Sequence, residues 1–206
     1  MENFSLFVFL TNMILIDKLK QLRKETSVSM SDCEKALKEA QGDIDKAKEI
    51  LRKWGKEVAL KRVSREIKQG IIDIYLHPNK KIGVMLQINC ETDFVAKSED
   101  FRNLSHEICL QIAAMNPLFL KEEDIPAEFL DGEKKIYREQ VKNSGKPQKI
   151  VDQIIEGKLK KYKEEVSLLS QVWIKDENKT INDLVNESIA KIGENMAIKK
   201  FVRYEI

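Results

Sequence analysis

The sequence predicts an α+β fold, in which an N-terminal three-helix module precedes a core of helices flanking a three-stranded antiparallel sheet. Three observations predict it. Apolar residues recur at helical spacing between Ile16 and Gly55. The period then switches to two on both sides of the turn His77-Pro78-Asn79-Lys80-Lys81. A third alternating run ends the chain, with helical patterns filling the interval before it. Strands and helices mixed in this order give helices that cover an antiparallel sheet.

The elements are justified in order. Phe4 to Leu10 is apolar but short, and a membrane-spanning helix needs about 20 apolar residues. Glu2 precedes the run, where a signal peptide carries basic residues. Residues 1–15 are therefore set apart as an extension that reflects a misplaced start, with Met13 as the native first residue. The module proper spans 16–55. Ile16, Leu19 and Leu22 mark its first helix. Ser31-Asp32-Cys33-Glu34 reads as a capping box opening the second, whose apolar face is Ala36, Leu37 and Ala40. Gly42 suits a left-handed helix end. Asp43 caps the third helix, with Ile44, Ala47, Ile50, Leu51 and Trp54 as its stripe. A module of about 40 residues lies near the lower limit for a self-sufficient core.

Residues 56–69 form a basic connector carrying Lys56, Lys61, Arg62, Arg65 and Lys68. It is read as a solvated face or as a positive patch for an acidic partner. The core spans 70–206. In its hairpin, Ile72, Ile74 and Leu76 alternate with polar or outward residues on the first strand, and Val84, Leu86, Ile88 and Cys90 share one face of the second. The last strand places Met196, Ile198, Lys200, Val202, Tyr204 and Ile206 on one face and Phe201 on the other. Between the strands, Phe101, Leu104, Ile108, Ile112 and Met115 mark a helix that stops at Asn116-Pro117. Ile136 and Val141 belong to a second, ending near Ser144-Gly145. Pro147 suits the first position of a third, continued by Ile150, Ile154, Ile155, Leu159 and Tyr162. Thr180 to Asp183 opens a last helix closed by Gly193.

Composition narrows the function classes. Of 206 residues, 42% are hydrophobic and 34% charged. That supports a packed core under a charged surface rather than disorder. The net charge of +2 arises from 36 basic and 34 acidic residues, so nothing global demands a nucleic-acid or membrane partner. Three cysteines with no C-x-x-C pair fit a reduced, cytosolic compartment. The chain has two histidines, His77 and His106. It lacks a Gly-rich phosphate loop, H-E-x-x-H and G-x-S-x-G. Cys90 with His106 would be a thiol pair without supporting context, and no residues show metal-ligand spacing. The expectation is a protein that is not an enzyme and uses no cofactor or metal. Lys158, Lys160, Lys161 and Lys163 could face RNA, but helical spacing makes them a solvated face.

The unusual segment is Asn89-Cys90-Glu91-Thr92-Asp93-Phe94-Val95-Ala96, two acids and a large ring directly after an apolar strand. Two readings stand. Thr92 or Asp93 caps a helical turn and Phe94 enters the core. Alternatively, the acid and the ring form a rigid projecting tip that wedges into a partner, since an aromatic anchor on a stiff scaffold is a usual interface hot spot.

Four blocks carry a resemblance. NCETDFVAK (Asn89 to Lys97), LRKETSVSMSDCEKAL (Leu22 to Leu37), the stretch from Ser144 to Gln171 and the terminal KIGENMAIKKFVRYEI each resemble a signature of the elongation factor Ts family. Along the chain they stand in that family's order. Ser27 and Ser29 stand where the family usually has glycines, Ser31 where a second methionine is common, and Val172-Trp173 where Pro-Phe is usual. The resemblance implies a module similar to ubiquitin-associated domains, followed by a single core subdomain, and a homodimer. It implies a cytoplasmic guanine nucleotide exchange factor for elongation factor Tu. On that resemblance Asp93 and Phe94 are the wedge near the Mg²⁺ site, and Thr92 and Val95 hold it rigid. Arg23 and Met30 touch the nucleotide-binding domain of Tu, with Lys61, Arg62 and His77 as further contacts. The alternative is a protein-binding adaptor of the ubiquitin-associated type, without exchange activity. It accounts for residues 16–55 and leaves Thr92 to Val95 unexplained.

Overall fold

The computed structural model describes residues 16–26, 28–142 and 147–206. The extension and its start site, Ser27 and the helix end at Ser144-Gly145 lie outside these residues. The described chain separates into two compact units.

The first unit runs to Glu66 and takes in Asn186–Asn195. It contains α1 (16–26), α2 (Met30–Glu39) and α3 (Ile44–Arg62). Leu22, Cys33, Ala36, Leu37, Ala40, Ala47 and Leu51 form its core, with Leu19, Val28, Ile44, Ile50 and Trp54 packed around them. The α2 cap differs from the sequence reading. Ser29, not Ser31, is the N-cap, and its hydroxyl oxygen accepts from the Asp32 amide at 3.1 Å. Ser31 already lies inside the first turn, where its hydroxyl has no cap to make. Gln41 and Gly42 both take positive φ, 53° and 80°. The Gly42 amide donates to Leu37 O at 2.8 Å, which completes a left-handed helix ending. Asp43 then caps α3, its carboxylate accepting from the Asp45 and Lys46 amides. Helix α3 continues through the stretch read as a connector as far as Arg62.

The second unit holds Ile67–Val185 and Met196–Ile206. Strands β1 (Gln69–Leu76), β2 (Ile82–Cys90) and β5 (Met196–Glu205) form an antiparallel sheet in the order β1-β2-β5. Gly70 lies opposite Asn89, and a Cβ there would run into the Ile88 carbonyl, so only glycine fits. Val84, Leu86, Ile88 and Cys90 are buried on the face toward α4 (Asp93–Lys97) and α5 (Glu99–Met115), whose Phe101, Ile108 and Ile112 are fully buried.

Two strand readings are corrected. In β5 the register shifts opposite Gln87/Ile88, so that Lys200 pairs with Gln87 and Ile198 with Ile88, leaving Lys199 as the extra residue. Such a bulge reverses the alternation beyond it. Met196 and Ile198 are buried, whereas Val202 and Tyr204 are exposed and Phe201 turns inward. In β1, Ile72, Ile74 and Leu76 lie on the outer face and are exposed.

The remaining elements follow α5 in the chain. Helices α6 (Ala127–Val141) and α7 (Gln148–Val166) form a pair, with Phe129 edge-on to Phe119 and stacked near Tyr162, and the Lys158 ammonium over Tyr137. Pro147 is the residue before α7 rather than its first helical position. A small hairpin of β3 (Val172–Trp173) and β4 (Asp176–Thr180) comes next, which the periodicity does not announce. Buried Gln111 explains it. Its amide donates to Gln171 Oε1 and Val172 O, and its oxygen accepts from the Ile174 amide. A side chain thus serves as the missing strand neighbour. Helix α8 (Ile181–Ile192) opens with a reciprocal box. Thr180 Oγ1 accepts from the Asp183 amide at 3.1 Å, and Asp183 accepts from the Thr180 amide at 3.2 Å. Among the described residues, no helix is long and apolar enough to cross a membrane.

Gln111→Met keeps the length and removes all three hydrogen bonds. It is expected to lower unfolding free energy by about 2–3 kcal/mol, read by denaturant titration. A loss below about 0.5 kcal/mol would contradict the role given to Gln111.

Candidate functional site

The site begins where β2 ends. Cys90 pairs with Gln69 on β1 and Met196 on β5, so the backbone leaves the sheet from its central strand. The buried Cys90 thiol donates to Thr92 O at 3.1 Å. Thr92 is extended, with φ −122° and ψ 157°. Its hydroxyl oxygen accepts from the Val95 amide at 3.3 Å, which caps α4. Ser98 closes the turn. Its hydroxyl donates to Val95 O at 2.8 Å and accepts from the Phe101 amide to cap α5.

Geometry then dictates which side chains project. Successive helical residues are rotated by roughly 100°. Val95 and Ala96 point inward and are buried, so Asp93 and Phe94 point away. Phe94 is 81% exposed. The reading that places Phe94 in the core is therefore excluded, while its other half, Thr92 as the cap, holds. Leaving such a ring in water forgoes about 1.5–3 kcal/mol of burial energy. A lone exposed apolar residue is ordinary; a ring fixed on a turn capped at both ends is not.

Asp93 carries charge beside the ring. Its carboxylate lies 2.8 Å from Lys97 Nζ, and that hydrogen bond is the main cause of a pKa held below the usual aspartate value. Both groups are solvent-exposed, so the pair orients the carboxylate more than it stabilises the fold. The periodicity reading did not single out Lys97; its signal was the i,i+4 spacing from Asp93.

In the three-helix unit, Arg23 and Met30 come together. With Lys20 and Lys24 they line an open depression of about 500 Å³. Arg62 is partly engaged, its guanidinium donating to Ile189 O at 2.8 Å, and Lys61 is exposed. His77 sits at the hairpin turn with Nδ1 3.0 Å from the Tyr75 hydroxyl, and the Tyr75 ring meets both His77 and His106 edge-on.

Nothing resembling a covalent centre is assembled among the described residues. His106 stands on the exposed side of α5 against Tyr75, whereas Cys90 is buried and turned to a carbonyl. Burial pushes the Cys109 thiol up to about 12 and raises Cys33 as well, so neither ionises near neutrality. Among the described residues, no group of His, Cys, Asp and Glu could hold a metal ion.

The sequence reading missed the outer sheet face. Ile72, Ile74 and Leu76 on β1, Met85 on β2, and Val202 and Tyr204 on β5 are all exposed. The register places them on one side, with Ile74 opposite Met85 and Met85 opposite Val202. A contiguous apolar face of this kind marks an interaction surface.

The family described as Elongation factor TS matches residues 5–206. A protein named Elongation factor Ts from Thermosipho melanesiensis is 50% identical over 194 residues, covering 94% of this chain and 99% of that protein. The protein of that name from Thermotoga petrophila is 51% identical over 193 residues, covering 94% and 96%. One from Moorella thermoacetica is 48% identical over 194 residues, also covering 94% and 96%. This chain belongs to the elongation factor Ts family.

Proposed function

We propose that the protein is a cytoplasmic guanine nucleotide exchange factor for elongation factor Tu, acting in translation elongation without a cofactor and without making or breaking a covalent bond. The observation that carries this reading is Phe94, projected from a turn whose backbone is capped at both ends, with ionised Asp93 beside it.

A GTPase holds GDP through a phosphate-cradling loop, with Mg²⁺ on the phosphates. An exchange factor leaves the overall equilibrium unchanged and favours a shape of Tu that holds nucleotide and ion poorly. The coupling is reciprocal, and ordinary allosteric couplings reach about 1–3 kcal/mol. Each further decade of acceleration needs about 1.4 kcal/mol more. A desolvated aromatic anchor contributes about 2 kcal/mol or more, which makes Phe94 the group with the most to give. Phe94 inserts between helices of Tu near the Mg²⁺ site, and Asp93 pairs with polar groups there and displaces the switch elements. Thr92 and Val95 keep the tip from yielding. Arg23 and Met30 contact the nucleotide-binding domain; Lys61, the remaining donors of Arg62, and His77 extend the contact. A peptide-binding adaptor would give no task to Phe94.

The apolar outer face of the sheet supports a homodimer. Two such faces packed about a two-fold axis would lie roughly 10 Å apart, as in a β-sandwich. The same patch then serves both subunits, as an isologous contact requires.

Phe94→Ala is expected to slow factor-stimulated release of fluorescent GDP from Tu at least tenfold, which is about 1.4 kcal/mol, with an unchanged melting temperature. A drop in stability of about 3–5 kcal/mol would instead place the ring in a core. For the dimer, light scattering of the wild type at micromolar concentration should give twice the chain mass, and Ile74→Lys should give the monomer mass. A monomeric wild type sinks the dimer while leaving the exchange reading standing.

A further inference from the structure

We infer that Asn195 is a positioning residue that stiffens the link between α3 and β1. The inference rests on the proposed exchange function for its kinetic arm only.

Asn195 is 5% exposed and sits in the turn between α8 and β5. Its side-chain amide donates to Val63 O at 3.3 Å and to Arg65 O at 2.9 Å, across 132 and 130 residues of sequence. An asparagine amide has two N–H donors, so both can be spent on this one stretch of backbone. The stretch is the part of the link with no helix or strand of its own, between the end of α3 at Arg62 and the start of β1 at Gln69. The carbonyls of Val63 and Arg65 lie beyond the last helical turn, where helical partners run out. Asn195 takes the place those partners would have had.

A second tie runs in the opposite sense. The Arg62 guanidinium donates to Ile189 O at 2.8 Å. That carbonyl also accepts from the Gly193 amide at 3.0 Å. It lies in the last turn of α8, where a cation meets the negative end of the helix. Gly55 of α3 faces Ala190 of α8, where an added Cβ would make an ordinary contact at 3.8 Å. The segment from Asn186 to Asn195 therefore braces the far end of α3 and the first residues after it, all within one compact unit.

The consequence is kinetic. The chain from Val63 to Lys68 is one of the covalent paths between the helices bearing Arg23 and Met30 and the sheet that leads to Asp93 and Phe94, beside α8 and the step from Asn195 to Met196. When a second contact follows a first, its effective concentration depends on how stiff the connection is. A loosened link weakens the joint grip on Tu and leaves the wedge itself intact. The expected signature is a change in the concentration needed, not in the rate at saturation.

Hydrogen exchange of the full chain, read by mass spectrometry, tests the brace directly. In Asn195→Ala, amides of residues 60–68 should exchange at least tenfold faster, with those of 30–39 and 82–90 unchanged. In release of fluorescent GDP from Tu, the half-saturating concentration of the variant should rise about fivefold, with the maximal rate within twofold of wild type. Unchanged exchange at 60–68 overturns the inference, as does a uniform rise in all three peptides, which would make Asn195 a general stability residue. A lowered maximal rate with unchanged half-saturation also overturns it. Should Asn195→Ala not fold, Asn195→Asp keeps the side chain's size, removes both amide donors and is held to the same outcomes. If wild type itself fails to release GDP, the exchange function falls while the hydrogen-exchange arm still decides the brace.

Discussion

The structure depends on one constraint: the backbone between Cys90 and Ser98 is pinned at both ends. Thr92 caps the short helix from one side, Ser98 closes it from the other, and Val95 and Ala96 are buried between them. With the inward positions taken, Asp93 and Phe94 have nowhere to point but outward. The exposed ring is thus a result of good local packing and not a failure of it. Removing the ring should spare the fold, whereas removing either cap should loosen the turn that carries it.

The sheet uses a similar division of faces. Its inner side, with Val84, Leu86 and Ile88, is sealed by α4 and α5. Its outer side carries Ile72, Ile74, Met85 and Tyr204 without cover. The bulge at Lys199 makes this possible, because it lets β5 present Ile198 inward and Val202 outward within one strand. An exposed apolar face of this kind marks an interaction surface.

Much of this was legible in residue spacing. The helical stripe from Ile44 to Trp54, the hairpin around Pro78 and the start of a last helix at Thr180 follow from residue spacing and residue type alone. The faces of β1 and β5 were not legible, because alternation reports that a strand has two sides and does not say which is buried. One extra residue inverts the assignment. The α2 cap was misplaced because Ser29 and Ser31 are both competent, and only the entry of the backbone at Met30 decides between them. The β3–β4 hairpin stayed hidden because its partner is the side chain of Gln111, sixty positions away from Gln171. The tip itself was visible as an odd cluster, but spacing alone left Phe94 between core and surface. Its placement came from geometry, and its proposed task from the family.

The proposed function turns on one physical claim, that a fixed acid and ring act on the magnesium-bound nucleotide site of Tu. The most direct measurement is the rate of fluorescent GDP release from Tu across a titration of the wild-type protein at two free Mg²⁺ concentrations. The account predicts a saturable acceleration that weakens as Mg²⁺ rises. No acceleration at any protein concentration, or one indifferent to Mg²⁺, would contradict it.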